Sequence, residues 1–454
     1  MQEKNILPQL LKPDIKELIE NRQWHALKDA LADWYPSDVA ELLLDLEKSD
    51  RVLLYRAIPR HLAADVFANL EPQHQNALLI NLTDQETRQL LADMSPDDRT
   101  DLLEELPAEV TRELLDFLSI EDLKEARWLM GYPEESIGRL MTPDYVAVRP
   151  EWTIRQALDH IRKNGRDSET INMIYVVDDQ GRLLDDLKLR WIILGNPDDK
   201  VESVMNRFIV SLSAFDDREE AARKMKLYDL VALPVVDSDG FLLGIVTIDD
   251  VLDVAEEEAT EDIQKAASVS PLRMSYQSAS VFTLYKKRIV WLTSLIFVNL
   301  LSSGVIHAYQ EILAAVISLA FFIPLLIGTG GNAGSQSATL MIRALVTGEI
   351  RLNQWARTVL KEFSVGIFLG LSLGILSSVL GLVRGGAKIG LVVGLTMILI
   401  VVAANLIGMT LPFVLARLKL DPAAASSPLV ATLVDACGLL IYFTIAIRIL
   451  GLPA

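Results

Sequence analysis

Three groups of residues in this 454-residue chain have the types and spacing to do chemistry. The first is Asp435, which stands between Val434 and Ala436 in an apolar run, with no Lys or Arg within one helical turn. A carboxylate at membrane depth costs about 3 kcal/mol on insertion scales, and such acids are functional by default. The second is the stretch Pro324-Leu-Leu-Ile-Gly-Thr-Gly-Gly-Asn-Ala-Gly-Ser-Gln-Ser, which places Gly328, Gly330, Gly331, Gly334, Asn332 and Gln336 in another apolar segment. Such a stretch is tolerated there where it packs closely or lines a cavity. The third is the acidic run Asp249, Asp250, Asp253, Glu256, Glu257, Glu258, Glu261 and Asp262. A solvated face is the ordinary explanation of such a run. Carboxylate, amide and hydroxyl oxygens suit a hard cation that keeps its water, not a soft one. Soft-metal chemistry is poorly supplied: Cys437 is the sole cysteine, and four of the five histidines lie in the acidic part of the chain.

These residues need a membrane and a soluble body to hold them, and the charge distribution supplies both. Residues 1–285 carry 31 Lys/Arg against 56 Asp/Glu, a net of −25; residues 286–454 carry 12 against 5, a net of +7. The acidic body argues against a nucleic-acid binder, because it repels phosphate. The apolar part reads as five segments near 289–306, 312–340, 363–383, 389–415 and 429–450, several longer than the roughly 20 residues a span needs. Lys286, Lys287, Arg288, Arg343, Arg351, Arg357, Lys361, Arg417 and Lys419 fall on one side, and Arg384 and Lys388 on the other. The positive-inside rule then places the N-terminus in the cytosol and the C-terminus outside. The N-terminus lacks an apolar core of signal-peptide length, which agrees with a cytosolic acidic body.

Within that body two repeats are visible. Segments opening at Pro36, Pro59, Pro72, Thr83, Pro96 and Pro107 are each followed by leucines at helical spacing, and proline suits a first helical turn. A two-helix repeat stacking into a short α-solenoid is expected. Residues 140–253 change to strand-like runs, Met173-Ile-Tyr-Val-Val and Leu233-Pro-Val-Val, each followed by an Asp-rich turn at Asp178 and Asp237. A duplicated α/β module explains the spacing.

The motifs Leu140-Met-Thr-Pro, Tyr175-Val-Val-Asp and Gly244-Ile-Val-Thr-Ile-Asp-Asp-Val resemble a tandem CBS pair, the Bateman module. That resemblance implies regulation and a nucleotide such as ATP, with Thr247 and Asp250 as the nucleotide-binding pattern. Lys188 and Trp191 stand at the equivalent positions of the first copy and do not match it. With Gly328-Thr-Gly-Gly-Asn, Gln336-Ser-Ala-Thr-Leu and Pro428-Leu-Val-Ala-Thr-Leu-Val-Asp added, residues 30–454 resemble the MgtE family of magnesium channels.

The resemblance implies a multidomain architecture: a helical-repeat N domain (1–130), two CBS domains (131–200 and 201–253), an acidic connecting or plug helix (254–285) and an all-α pore domain of five transmembrane helices (286–454). It also implies a multi-pass protein of a bacterial-type plasma membrane, a homodimer with one pore lined by the second and fifth spans, and no enzymatic activity. In that pore Asp435 binds Mg²⁺, and Gly328, Gly331, Asn332, Gln336 and Ser427 line the path, Ser427 standing where the family often has Asn. Cytosolic sensor sites fall at Asp97, Asp101, Asp250, Asp253, Glu258, Glu261 and Asp262. High cytosolic Mg²⁺ would bridge these acids and hold a closed state, a population shift by a ligand that prefers one conformation.

Three other readings compete. A transporter of Mn²⁺ or Co²⁺ would use much the same oxygen donors. An intramembrane metalloprotease would need a His-Glu-x-x-His helix, and the chain has none. A CBS nucleotide sensor with a plain membrane anchor would need neither the glycine motif nor Asp435.

Overall fold

The structure is a computed structural model that describes residues 6–272, 274, 276 and 279–452. Residues 1–5 of the expected N domain, residues 273, 275, 277 and 278 of the expected connecting helix, and residues 453 and 454 of the expected pore domain lie outside the described residues. The chain divides into two compact units, Met1–Glu257 and Glu258–Ala454.

The first unit opens with ten helices between Ile6 and Leu129. From the third onward they start at Pro36, Lys48, Arg60, Pro72, Asp84, Pro96, Ala108 and Ile120, twelve residues apart each time. Proline occupies the first turn at Pro36, Pro72 and Pro96, where a missing N–H leaves no bond unmade. Thr83 caps the next helix through a reciprocal pair with Glu86. The core repeats with the same period: Leu42, Leu54, Val66, Leu78, Leu90, Leu102, Leu114 and Ala126 are all buried. The sequence repeat is therefore real, one helix every twelve residues and so two every 24, and alternate helices pack on each other. The helix at Lys48 lacks a proline opener, so the spacing rule passed over it.

The CBS region forms two three-stranded sheets. In the first, β1 (Ala147–Val148) pairs parallel with β2 (Met173–Val177), and β2 pairs antiparallel with β3 (Leu183–Lys188). In the second, β4 (Leu212–Ser213), β5 (Ala232–Val236) and β6 (Leu242–Thr247) repeat that order, and each copy has a bulge at the matching Val-Val step. Asp178 Oδ1 accepts from the backbone N–H of Gln180 and Arg182, and Asp237 Oδ1 does the same for Asp239 and Phe241. The Asp-rich turns are thus Asx turns that close each hairpin. The copies share a core of Met173, Tyr175, Val177, Ala232, Leu242 and Ile245.

The acidic segment is helical over Ile248–Ala266. It starts earlier than the expected 254, running directly on from β6, and it ends earlier than 285, where Ser268 takes a left-handed backbone conformation (φ 61°) and its hydroxyl bonds to Ser426 Oγ at 2.7 Å.

Among the described residues four helices are long and apolar enough to cross a bilayer: Val281–Ala308, Ile317–Val346, Leu352–Arg417 and Ser427–Leu450. The third is broken at Gly386, whose φ of 84° only glycine adopts without strain. Its two halves pack through Gly366, Gly370, Gly374 and Gly381 against residues 390–405, the small-residue contact that lets membrane helices approach closely. The glycine-rich helix begins at Ile323, with Pro324 in its first turn; residues 310–322 form a short helix and a 3-10 turn instead of the continuous run expected from 312. Its core partners are Ile400, Val401, Val430, Val434 and Phe443, and the Tyr442 hydroxyl donates to the Leu319 carbonyl at 2.9 Å. Helix Val281–Ala308 buries none of its side chains in the single chain.

Candidate functional site

The glycine-rich helix Ile323–Val346 lies between the long helix Trp355–Arg417 and the last helix Ser427–Leu450. Its glycines divide by face. A Cβ added to Gly330 would meet Ile400 at 2.4 Å and Val434 at 3.1 Å, and one on Gly334 would meet Val430 at 3.0 Å and the Ala404 carbonyl at 3.2 Å. On Gly408 it would reach the Gly334 carbonyl oxygen at 2.1 Å, so two backbones touch there. These glycines serve packing.

Gly331 points elsewhere. A Cβ on it would stand 3.3 Å from Ala431 Cβ and 3.8 Å from Asp435 Oδ1. Asp435 is half-buried, and among the described residues neither an ion pair nor a hydrogen bond engages its carboxylate. Two turns earlier the Ser427 carbonyl accepts from Ser335 Oγ at 3.1 Å. Gly328, Asn332 and Gln336, spaced by four, form an exposed stripe on one helix face, and a Cβ at Gly328 would meet nothing within 4 Å. The structure therefore brings Gly331 to Asp435 and ties Ser335 to Ser427. It leaves Gly328, Asn332 and Gln336 facing away from the chain's own core. A carboxylate beside an open glycine position, on helices that also carry amide and hydroxyl oxygens, offers hard donors of the kind a hydrated hard cation takes.

The acids expected as sensors fall in two places. In the first unit, burial and then the charge of Asp98 push Asp97 up to about 6. Burial, then Asp97, Asp249 and Asp98, push Asp250 up to about 8, although Thr247 Oγ1 donates to its Oδ2 at 2.7 Å. Partial loss of water, then Asp97, Asp249, Asp98 and Asp144, push Glu169 up to about 7. Asp253 is also raised, first by loss of water and then by Glu257, Glu256 and Asp249. Asp101 lies one turn beyond Asp97 on the same helix and is exposed. Among the described residues no three acids or histidines converge tightly enough to hold a metal ion as they stand.

In the second unit, Lys265 pairs with Glu261 and reaches Asp421 at 2.6 Å. Burial, then Asp421, push Asp262 up to about 6, and Glu258 is half-buried one turn before it. In the first CBS copy Lys188 caps the short helix Leu189–Leu194 and Trp191 is exposed, so the Thr-x-x-Asp pair of the second copy has no counterpart.

A protein named magnesium transporter MgtE from Thermus thermophilus is 42% identical over 439 residues, which is 96% of this chain and 98% of that one. The chain belongs to the MgtE family. An MgtE of Enterococcus faecalis is 34% identical over 95% of both chains. The family model described as a divalent cation transporter matches residues 323–445, the MgtE intracellular N domain matches 34–135, and CBS domains match 137–185 and 201–257. A solved structure, the cytosolic domain of the Mg²⁺ channel MgtE in complex with ATP, is 38% identical with a TM-score of 0.52, covering 54% of this chain and all of that one. The architecture expected for an MgtE protein, a helical N domain, tandem CBS domains and apolar helices, is the one found.

Sequence reasoning missed several members of the polar clusters. Asp98 and Glu169 join the first acidic group, and Asp421 and Lys265 join the second. The isolated Glu169 carries no pattern that sets it apart. Glu362 was also passed over, because it adjoins Lys361 and falls one residue before an expected span.

Proposed function

We propose that the chain is a Mg²⁺ channel for magnesium uptake, with Asp435 as the ion-binding carboxylate of its pore. The observation that carries this reading is the placing of Asp435 against Gly331: a membrane-depth acid without a counter-charge, facing a glycine that leaves room beside it. Mg²⁺ gives up water reluctantly, so a path with space and oxygen donors suits it better than a closed cage. The stripe Gly328, Asn332 and Gln336, with Ser427, supplies further oxygens or open backbone along the same helices. We infer five crossings, the break at Gly386 dividing the long helix, with the N-terminus in the cytosol of a bacterial-type plasma membrane and the C-terminus outside. Two copies facing each other across the exposed stripe would form one pore, each contributing an Asp435.

Gating follows from the acids. Asp97, Asp101, Asp250 and Asp253 within the first unit, and Glu258, Glu261 and Asp262 within the second, are two groups of carboxylates, each repelling within itself when bare. Cytosolic Mg²⁺ bridging them stabilises a closed arrangement, and its loss releases the repulsion. Thr247 and Asp250 are the nucleotide contact we propose for ATP in the CBS module. The test is Mg²⁺ entry into liposomes followed by an internal dye, with the cytosolic face held at low and at high Mg²⁺. Entry that high cytosolic Mg²⁺ suppresses supports the reading. Entry of Mn²⁺ or Co²⁺ but not Mg²⁺ replaces it with transport of another divalent cation.

A further inference from the structure

The apolar helices hold a second acid besides Asp435 that binds a neighbouring helix. Glu362 lies in the second turn of helix Trp355–Arg417, and its Oε2 accepts a hydrogen bond from Ser337 Oγ at 3.0 Å. The same hydroxyl lies 3.1 Å from the Asn405 carbonyl. Ser337 is on the glycine-rich helix, Glu362 on the first half of the long helix and Asn405 on its second half, beyond Gly386. One hydroxyl, its single proton shared between two acceptors, therefore contacts both halves of the long helix. Ser337 and Asn405 are 4% and 2% exposed, and Glu362 is half-buried. Gly366, one turn beyond Glu362, continues the contact: a Cβ there would stand 3.2 Å from Val402 Cα and 3.6 Å from Asn405 Nδ2.

A helix built around Gly328, Gly330, Gly331 and Gly334 has few side chains to interlock with its neighbours. Gly330 and Gly334 receive Ile400, Val430 and Val434 from the neighbouring helices, and a directional bond adds a further restraint on rotation to that packing. A hydrogen bond is directional, and one to a carboxylate is roughly twice as strong as a neutral one. Ser337 lies directly after Gln336 and six residues from Gly331. Fixing its azimuth fixes the azimuth of Gly331, because the helix between them is rigid.

We propose that Glu362 is a positioning residue: through Ser337 it sets the rotation of the glycine-rich helix that keeps Gly331 turned to Asp435. The proposal rests on the reading of Asp435 as the ion site. The role belongs to the acceptor oxygen, so the amide of Glu362→Gln should fill it in part, and Glu362→Ala should not.

The test uses the full chain in liposomes in a Cys437→Ser background, with Glu362→Gln, Glu362→Ala and Ser337→Ala compared. Two readouts are taken. One is Mg²⁺ entry. The other is disulfide formation between cysteines introduced by Gly331→Cys and Ala431→Cys, whose Cβ atoms would lie near the 3.5–4.5 Å that a disulfide spans. Glu362→Ala and Ser337→Ala should slow both by about tenfold, the scale of one lost hydrogen bond to a charged group. Glu362→Gln should stay within about threefold of wild type, since a neutral acceptor keeps part of the bond. Unchanged cross-linking in Glu362→Ala overturns the proposal. So does a Glu362→Gln variant as slow as Glu362→Ala, which would make the charge and not the acceptor the active feature. Cross-linking reads helix rotation without ion flow. A wild type that passes no Mg²⁺, yet loses cross-linking in Glu362→Ala, supports the tie and overturns the transport reading instead.

Discussion

Gly331 and Asp435 sit on different helices, yet a single carbon added to the glycine would come within 3.8 Å of the carboxylate oxygen. The space beside Asp435 exists because position 331 has no side chain. Gly331→Ala should lower Mg²⁺ entry, and Gly331→Val should abolish it. Gly304→Ala, with no atom within 4 Å of the added carbon, should leave entry unchanged. Initial uptake rates in liposomes at matched protein density check this.

Gly408 tests packing apart from the ion path. Its added carbon would lie 2.1 Å from a backbone oxygen that cannot swing aside. Gly408→Ala should destabilise the membrane helices by about 1–3 kcal/mol or more, the cost of overpacking a close interface. A lowered thermal midpoint in detergent, with the first unit's own transition unmoved, is the expected result.

In the N domain Arg99 is nearly inaccessible and pairs with Glu125 at 2.7 Å and Asp122 at 3.4 Å, while donating to the Leu91 carbonyl at 3.1 Å. Removing one partner of a buried pair costs about 3–5 kcal/mol, because the remaining charge is left uncompensated. The partial exposure of the two acids puts Arg99→Ala near the lower end. Chemical denaturation followed by tryptophan fluorescence measures it.

The large features of this molecule are legible in the sequence because they repeat or contrast. A helix every twelve residues leaves a trail of leucines and prolines, a duplicated hairpin leaves two Asp-rich turns, and apolar spans leave a change of composition and charge. The polar ties are not legible. Ser337 meets Glu362, and Lys265 meets Asp421, across 25 and 156 residues of chain, and no spacing rule connects them. The end of the acidic helix depends likewise on the left-handed Ser268 and its bond to Ser426. Asp435 was legible because an acid stands out in an apolar run, whereas Glu362 did not stand out beside Lys361.

The acidic group around Asp97 and Asp250 gives the first unit a pH dependence with a definite sign. A carboxylate with a raised native pKa contributes stability that is full below its ordinary value of about 4 and is lost as pH rises through the native value. With Asp97 at about 6 and Asp250 at about 8, the metal-free unit should lose stability steadily from about pH 4 to pH 8. Mg²⁺ competes with those protons, so its stabilising effect should grow over pH 6 to 8. Thermal melts of the full chain in chelator and in Mg²⁺, across that range, measure both slopes.

The contact between Lys265 and Asp421 should matter for closure. Asp421 begins the turn that leads into the last helix, where its Oδ1 also accepts from the Ala423 N–H at 2.8 Å. Asp421→Ala removes the anchor for Lys265 and a charge beside Asp262. If the proposed gating holds, the variant should pass Mg²⁺ at concentrations that suppress entry through the wild type. Entry measured against cytosolic Mg²⁺ should show the suppression curve shifted to higher concentration.

The most direct measurement is Mg²⁺ entry into liposomes carrying wild type or Asp435→Asn. The amide keeps the size of the side chain and removes its charge. Loss of entry in Asp435→Asn, with the thermal midpoint unchanged, is the result expected if this carboxylate holds the ion. Entry at the wild-type rate would contradict it and move the ion site to another part of the glycine-rich helix.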